Sequence, residues 1–182
     1  MKLGKRKCKN CGDVFQKERP LQSVCGFNCA NELVKTKQKK DSATAWKAKK
    51  ARVKESLKTL GDYKKDLQYY FNRWIRLTKE KVCISCDKNL EGTKYDASHY
   101  RSVGSNPSLR YEPDNVWNGC VRCNRDLHGN LIEYRKRLLI KIGKERLDFL
   151  EQEQPPKKYT IDEIKELIKL YKLKLKEIES YI

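Results

Sequence analysis

Cys83-Ile84-Ser85-Cys86 and Cys120-Val121-Arg122-Cys123-Asn124-Arg125-Asp126-Leu127-His128 decide how this chain folds. Each segment opens with C-x2-C, a knuckle whose turn points both thiolates at one spot, and two knuckles complete a tetrahedral zinc site. The other four cysteines repeat the arrangement, Cys8 and Cys11 as C-x2-C and Cys25 and Cys29 as C-x3-C. Sequential pairing leaves no cysteine over. It predicts two structural zinc ions, one joining 8/11 to 25/29 and one joining 83/86 to 120/123. Disulfides are the weaker reading. The N-terminus, Met1-Lys2-Leu3-Gly4-Lys5-Arg6-Lys7, lacks the apolar stretch of a secretory signal, and thiols stay reduced inside cells. The expected location is the cytoplasm.

Charge narrows the partner. The 182 residues carry 42 Lys and Arg against 24 Asp and Glu, a net charge of +18. Such an excess suits a polyanion, because basic side chains release the counterions condensed on nucleic acid and hold phosphates whatever the sequence. It argues against a small-molecule metabolic enzyme. No membrane partner is expected, since no apolar run approaches the roughly 20 residues of a spanning helix. With 36% charged residues a large apolar core is not expected either. Structural zinc, worth on the order of 10–16 kcal/mol in small peptides, has to help hold the fold.

Four segments follow along the chain. Residues 1–34 form the N-terminal four-cysteine zinc knuckle. Residues 35–61 form a basic helical linker or arm. From Lys35 to Lys65 there are twelve Lys or Arg and three acidic residues, with Ala43, Ala45, Ala48 and Ala51 favouring helix and Gly61 marking a break. Residues 62–153 hold the core with flanking helices. Within it 62–79 is amphipathic through Tyr63, Leu67, Tyr70, Phe71 and Trp74, and 131–141 and 144–152 are short helices parted near Gly143. Pro155-Pro156 then opens 154–182, where Thr160 and Glu163 make a capping box. Ile161, Ile164, Ile168, Tyr171, Leu175, Ile178 and Ile182 recur there by threes and fours, a heptad seam. The seam serves either to dock this helix on the chain's own body or to make a homodimer.

The two histidines of the chain, His99 and His128, both lie in or beside the window of the second zinc site. Lys94–Tyr100 reads as an extended segment ending at His99. A loop with Gly104, Ser105, Asn106 and Pro107 follows, and Asn115 comes five residues before Cys120. The second knuckle then leads into a helix on which Asn124 and His128, spaced i, i+4, share one face. A single metal ion fits between that face and the strand bearing His99. Strand, strand and helix around one metal is the logic of a one-metal nuclease, and composition and spacing reach as far as a nucleic-acid phosphodiesterase.

The order C-x2-C, His, Asn, C-x2-C-Asn resembles the HNH (ββα-metal) endonucleases with a structural zinc. More closely, the chain resembles the NinG (Rap) family of bacteriophage recombination endonucleases. The residues that carry this are Lys5-Arg6-Lys7-Cys8-Lys9-Asn10-Cys11-Gly12, Cys83-Ile84-Ser85-Cys86 and Asp96-Ala97-Ser98-His99-Tyr100-Arg101, then Leu109-Arg110-Tyr111-Glu112 before Asn115, Cys120-Val121-Arg122-Cys123-Asn124 and Gly129-Asn130-Leu131. The resemblance implies an α+β fold with a small zinc-stabilised, treble-clef-like ββα-metal core. It implies cleavage of branched DNA such as Holliday junctions and D-loops, in the cytoplasm of a host cell. By position, His99 resembles the general base, Asn115 the residue that pins the loop behind it, and Asn124 a ligand of a catalytic magnesium or manganese ion. Arg101 and Arg110 are candidate phosphate clamps.

Two departures stand out. Many HNH enzymes place Asp directly before the histidine as a second metal ligand, where this chain has Ser98. Asp96 is the nearest carboxylate, and His128, in the place of a helical metal-binding histidine, is the other candidate ligand. The competing reading is a non-catalytic zinc-ribbon module that binds nucleic acid, which explains charge and cysteines but not the histidines and Asn124 around one knuckle. On either reading, binding to nucleic acid should weaken steeply with salt. Neutralising Lys47, Lys49, Lys50 and Arg52 together should flatten log affinity against log salt, by about 0.9 for each phosphate no longer held. Fluorescence anisotropy across a salt series measures it, and an unchanged slope makes 35–61 a solvated linker.

Overall fold

The computed structural model describes residues 3–180. The chain forms a mixed α+β structure of helices with two small antiparallel sheets, and divides into two compact units between Lys58 and Thr59.

The first unit starts with a hairpin, β1 (Lys5–Lys7) against β2 (Val14–Gln16), with Cys8 and Cys11 in its turn. Gly12 takes φ 85° there, a left-handed value that favours glycine. Cys25 and Cys29 flank the start of α1 (Phe27–Ser56), so the hairpin turn and the helix start bear the four sulfurs. Helix α1 is 30 residues long and none of them is buried. Its alanines and long basic side chains supply intrinsic propensity, and Trp46 and Val53 stay exposed.

The break expected at Gly61 lies earlier. Helix α1 ends at Ser56, and Thr59 caps α2 (Leu60–Thr78) through a capping box with Asp62. Gly61 therefore falls inside the first turn of α2, where Thr59 and Asp62 outweigh its low propensity. The stripe Tyr63, Leu67, Phe71 and Ile75 is buried. It packs on Ile164, Ile168 and Tyr171 of α4 (Ile161–Glu179), with Tyr111 and Val116 completing the cluster. The two helices run parallel: Lys165 lies over the Tyr63 ring, Lys172 over Tyr70 and Lys174 over Trp74. The capping box of Thr160 and Glu163 forms as expected. Ile164, Ile168 and Tyr171 of the heptad seam are thus buried against the chain's own α2 and Leu175 is buried as well, while Ile161 stays exposed; docking on α2 accounts for a pattern that equally suits a dimer contact. Its last position, Ile182, lies outside the described residues.

A second hairpin sits between this helix pair and α3 (Leu131–Glu151). Strand β3 (Tyr95–His99) pairs with β4 (Val116–Cys120), placing Asp96 opposite Gly119, Ser98 opposite Trp117 and His99 opposite Val116. The face with Ala97 and Val116 meets α2 and α4. The other meets α3, where the buried Tyr134 donates its hydroxyl to the Ser98 carbonyl at 2.9 Å. Gly143, at φ 78°, is non-helical and parts α3 into two helical stretches, the pair that the sequence predicts. The kink lets Tyr134, Leu138, Leu147 and Leu150 share one cluster, and Arg135 grips Glu151 through two bonds of 2.7 and 2.8 Å. Among the described residues no helix is long and apolar enough to cross a membrane.

Phe71 is the centre of the α2–α4 contact. It is fully buried, with ring centroids 5.2 Å from Tyr171 and 5.8 Å from Tyr111. Phe71→Ala should cost about 3–5 kcal/mol through lost transfer energy and the cavity left behind. Urea unfolding of the full chain, followed by near-ultraviolet circular dichroism, would show it.

Candidate metal centres and catalytic site

The cysteines come together in the sequential pairing. The sulfurs of Cys8, Cys11, Cys25 and Cys29 lie within 4.8 Å of one another, as do those of Cys83, Cys86, Cys120 and Cys123. Each group could hold a zinc ion, and the donor set suits one: four soft sulfurs at tetrahedral spacing. Backbone amides converge on the sulfurs, as thiolates require. Cys25 N–H donates to Cys8 Sγ, Cys120 N–H to Cys83 Sγ and Cys123 N–H to Cys120 Sγ, each at 3.3 Å. Burial opposes charge on Cys8, yet amides of Cys11, Asn10 and Cys25 bring its thiol down to about 6. The Asp13 amide favours charge on Cys11, but the Cys8 sulfur and the Asp13 side chain push it up to about 12. In the second group burial and the neighbouring sulfurs push Cys123 far up. Four crowded thiolates repel one another, and a dication removes that repulsion.

Cys83 and Cys86 lead into β3, and Cys120 closes β4, so the second group ties together both outer ends of the hairpin. Cys123 lies in a single π-helical turn, Arg122–Asp126, where Leu127 N–H reaches back five residues to the Arg122 carbonyl at 3.0 Å. That turn lays Asn124 over the β3–β4 hairpin. A Cβ at Gly119 would meet the Ser98 Cβ at 2.9 Å and the Asn124 Cβ at 3.8 Å, so only glycine permits the approach.

Asn124 Nδ2 donates to Asp96 Oδ2 at 3.1 Å. The sequence alone leaves the direction of Asp96 open, and the strand turns it toward Asn124. Arg125, which sequence reasoning did not single out, closes on the same carboxylate, Nε to Oδ2 at 2.8 Å and Nη2 to Oδ1 at 3.0 Å. Its guanidinium holds the Asp96 carboxyl below the usual carboxylate range, against burial and with help from Asn124. Asp96 and Asn124 offer oxygen donors, the kind that magnesium takes from one or two side chains beside water and phosphate.

His99 lies on the opposite face of β3, at the loop end of the hairpin. Its Nε2 is 3.0 Å from the Arg110 carbonyl. A carbonyl only accepts, so Nε2 carries the hydrogen and Nδ1 of the neutral ring keeps a lone pair. Burial pushes the His99 pKa below the ordinary 6.5, so the ring is neutral at pH 7. Asn115 is fully buried and spans the loop behind it. It donates to the carbonyls of Arg101 and Leu109 at 3.1 and 3.0 Å and accepts from the Arg101 amide at 2.7 Å. Arg110 is anchored, its Nε on Gln68 Oε1 at 2.7 Å. The Arg101 Nε is buried with no acceptor among the described residues.

One expectation fails. Asn124 and His128 do not share a helical face, because the turn ends at Asp126 and His128 stands exposed at φ 49°. His128, Gly129 and Asn130 take three consecutive left-handed conformations that swing the chain into α3. Gly129 N–H reaches the Cys123 carbonyl at 2.8 Å, and Ser85 Oγ donates to the Gly129 carbonyl at 2.9 Å. Closure around the cysteines outweighs the i, i+4 pattern. Lys47, Lys49, Lys50 and Arg52 lie exposed along α1 in the first unit.

A family model described as bacteriophage lambda NinG protein matches residues 1–180. The chain is 32% identical to protein ninG of Escherichia phage lambda over 196 residues, covering 98% of this chain and 96% of that one. It is 31% identical to the proteins ninG of Escherichia phage 933W and Salmonella phage P22, at the same coverage. No solved structure matches it.

Protein purified without chelator should carry two zinc ions per chain by elemental analysis. Cys83→Ser and Cys8→Ser should each lose one. Cys83→Ser should also destabilise the unit from Thr59 onward, while Cys8→Ser leaves that unit's near-ultraviolet dichroism unchanged. Zinc near zero, with no thiols reactive after unfolding, would mean disulfides instead.

Proposed function

The chain belongs to the family of the bacteriophage lambda NinG protein, and we propose that it is a structure-selective DNA endonuclease of the HNH (ββα-metal, treble-clef-like) type. It cuts branched recombination intermediates, Holliday junctions and D-loops, by metal-assisted phosphodiester hydrolysis. One observation carries this reading: the hairpin and turn bounded by the second cysteine group set Asp96 against Asn124 at 3.1 Å and orient a neutral His99 three residues further along the same strand.

Each group has a part in that chemistry. His99 Nδ1 takes the proton of the attacking water as the new P–O bond forms and the bond to the 3′ oxygen breaks. The Arg110 carbonyl holds the ring's other nitrogen and steadies the charge the imidazole gains. Asn115 keeps the loop, and hence that carbonyl, in place. Asp96 and Asn124 would hold magnesium or manganese, which supplies charge stabilisation for the phosphorane and the leaving oxygen. Among the described residues strand β3 pairs on one edge alone, so groups on its two faces can meet a phosphodiester across the other. Arg101, whose buried Nε has no acceptor among the described residues, supplies a guanidinium of the kind that clamps a phosphate. The net +18 and the exposed basic α1 fit a long polyanion, and two cuts across a four-way junction require two copies of the site.

Incubation with four-way junction, D-loop and linear duplex, with and without magnesium, tests the activity. His99→Ala should keep zinc content, folding and junction binding, yet cut at least ~10²-fold more slowly. A base must be unprotonated, so wild-type activity should be full above the folded pKa and fall as pH drops through it. Because burial lowers that pKa, the acid limb of the rate profile should lie below 6.5. Wild-type cutting by His99→Ala would remove the site assignment. No cutting of any branched DNA by the wild-type protein would leave a zinc-ribbon binding module.

A further inference from the structure

Two groups make three hydrogen bonds to the Asp96 carboxylate, and one of them competes with a cation. Arg125 engages both oxygens in a fork, Asn124 shares Oδ2, and a carboxylate has about four lone-pair sites in all. The Asp96 side chain is 22% exposed and the Arg125 side chain 52%. The carboxylate is held in place, while the guanidinium lies in solvent at the end of a flexible stem. Arg125 can therefore leave without disturbing the packing beneath it. Ion pairs this exposed hold weakly, so a doubly charged ion can displace the guanidinium.

We propose that Arg125 is a latch released by the cation: it occupies Asp96 in the metal-free protein, and a divalent ion at Asp96 and Asn124 frees it to grip a phosphate oxygen of bound DNA. The inference rests on the nuclease reading above and names a positioning residue for it. A guanidinium presents the same planar fork to phosphate as to carboxylate, so the released group has a ready acceptor. The π-helical turn carries Asn124 and Arg125 side by side, so the cation's ligand and the phosphate's clamp move on one support. The exchange keeps local charge matched in both states. Without metal, Arg125 neutralises Asp96. With metal and DNA, the ion neutralises Asp96 and Arg125 meets a phosphate. Lys94 also acts on Asp96, by charge alone without a hydrogen bond, which supplies an internal control.

Two measurements on the full-length protein decide it. In the first, manganese is titrated without DNA and free ion is followed by electron paramagnetic resonance. Arg125→Ala should tighten manganese binding roughly two- to fivefold, the ratio set by an exposed pair. Lys94→Ala should tighten it by less, and Asp96→Asn should abolish binding at this site. Equal effects of Arg125→Ala and Lys94→Ala would reduce the latch to net charge and overturn it. No effect of Asp96→Asn would overturn the cation site and the latch with it, while the zinc and His99 results stand separately. In the second, four-way junction binding is measured across a salt series, in calcium to prevent turnover and without added divalent ion. The slope of log affinity against log salt should drop by about 0.9 for Arg125→Ala in calcium and stay unchanged without it. A drop in both makes Arg125 an ordinary phosphate contact, a drop in neither makes it a structural ion pair, and either result overturns the latch.

Discussion

The meeting of four sulfurs, those of Cys83, Cys86, Cys120 and Cys123, in a group that could hold a zinc ion is the constraint from which the second unit takes its form. These side chains come from two points 34 residues apart at their nearest sulfur contact, Cys86 to Cys120. Closing that loop costs chain entropy that a small apolar centre, Leu90 beneath the sulfurs, cannot recover alone. Once closed, the loop sets the register of β3 on β4 and the start of the π-helical turn. Asp96, Asn124 and Arg125 meet because of that register. A shift of one residue in β3 would turn Asp96 toward α2 and His99 toward the turn.

Within that frame, buried amides set what the cysteines leave free. Asn115 satisfies three backbone groups of the 101–109 loop, and Asn118 donates to the carbonyls of Lys79 and Glu80 at the end of α2. A loop of this length without regular structure would carry unpaired polar groups into the interior. One side chain with two donors and an acceptor supplies their partners. The result is a fixed Arg110 carbonyl and a fixed His99 tautomer, electrostatic preorganisation built from neutral groups. The apolar layers, α2 with α4 on one side and the bent α3 on the other, hold the hairpin from both faces.

The first unit is held differently. Its cysteine group anchors a hairpin to the start of α1, and beyond that the helix has no tertiary contact within the unit that buries a residue. Helices of this kind stand on propensity and length alone. Its lysines lie exposed to solvent along the helix.

Local chemistry was legible in the sequence wherever one residue type admits one answer. Eight cysteines in four close pairs led to two tetrads. Thr160 with Glu163 led to the start of α4 and Gly143 to the break between the two stretches of α3, while a role for Asn115 in the loop came only from the family resemblance. Thr59 with Asp62 was equally readable, and Gly61 drew attention away from it. Periodicity showed that α4 has an apolar seam but not what covers it, because α2 and a second chain present the same kind of surface to a stripe of isoleucines. Tertiary structure alone decided the direction of Asp96, the place of Arg125 and the exposure of His128. The first two depend on a strand register set by distant cysteines. The third depends on a turn in which closure around Cys123 outweighs regular helical spacing. Spacing along the chain fixes the groups that bond to their near neighbours; groups that meet across a hairpin are placed by the closure that makes the hairpin.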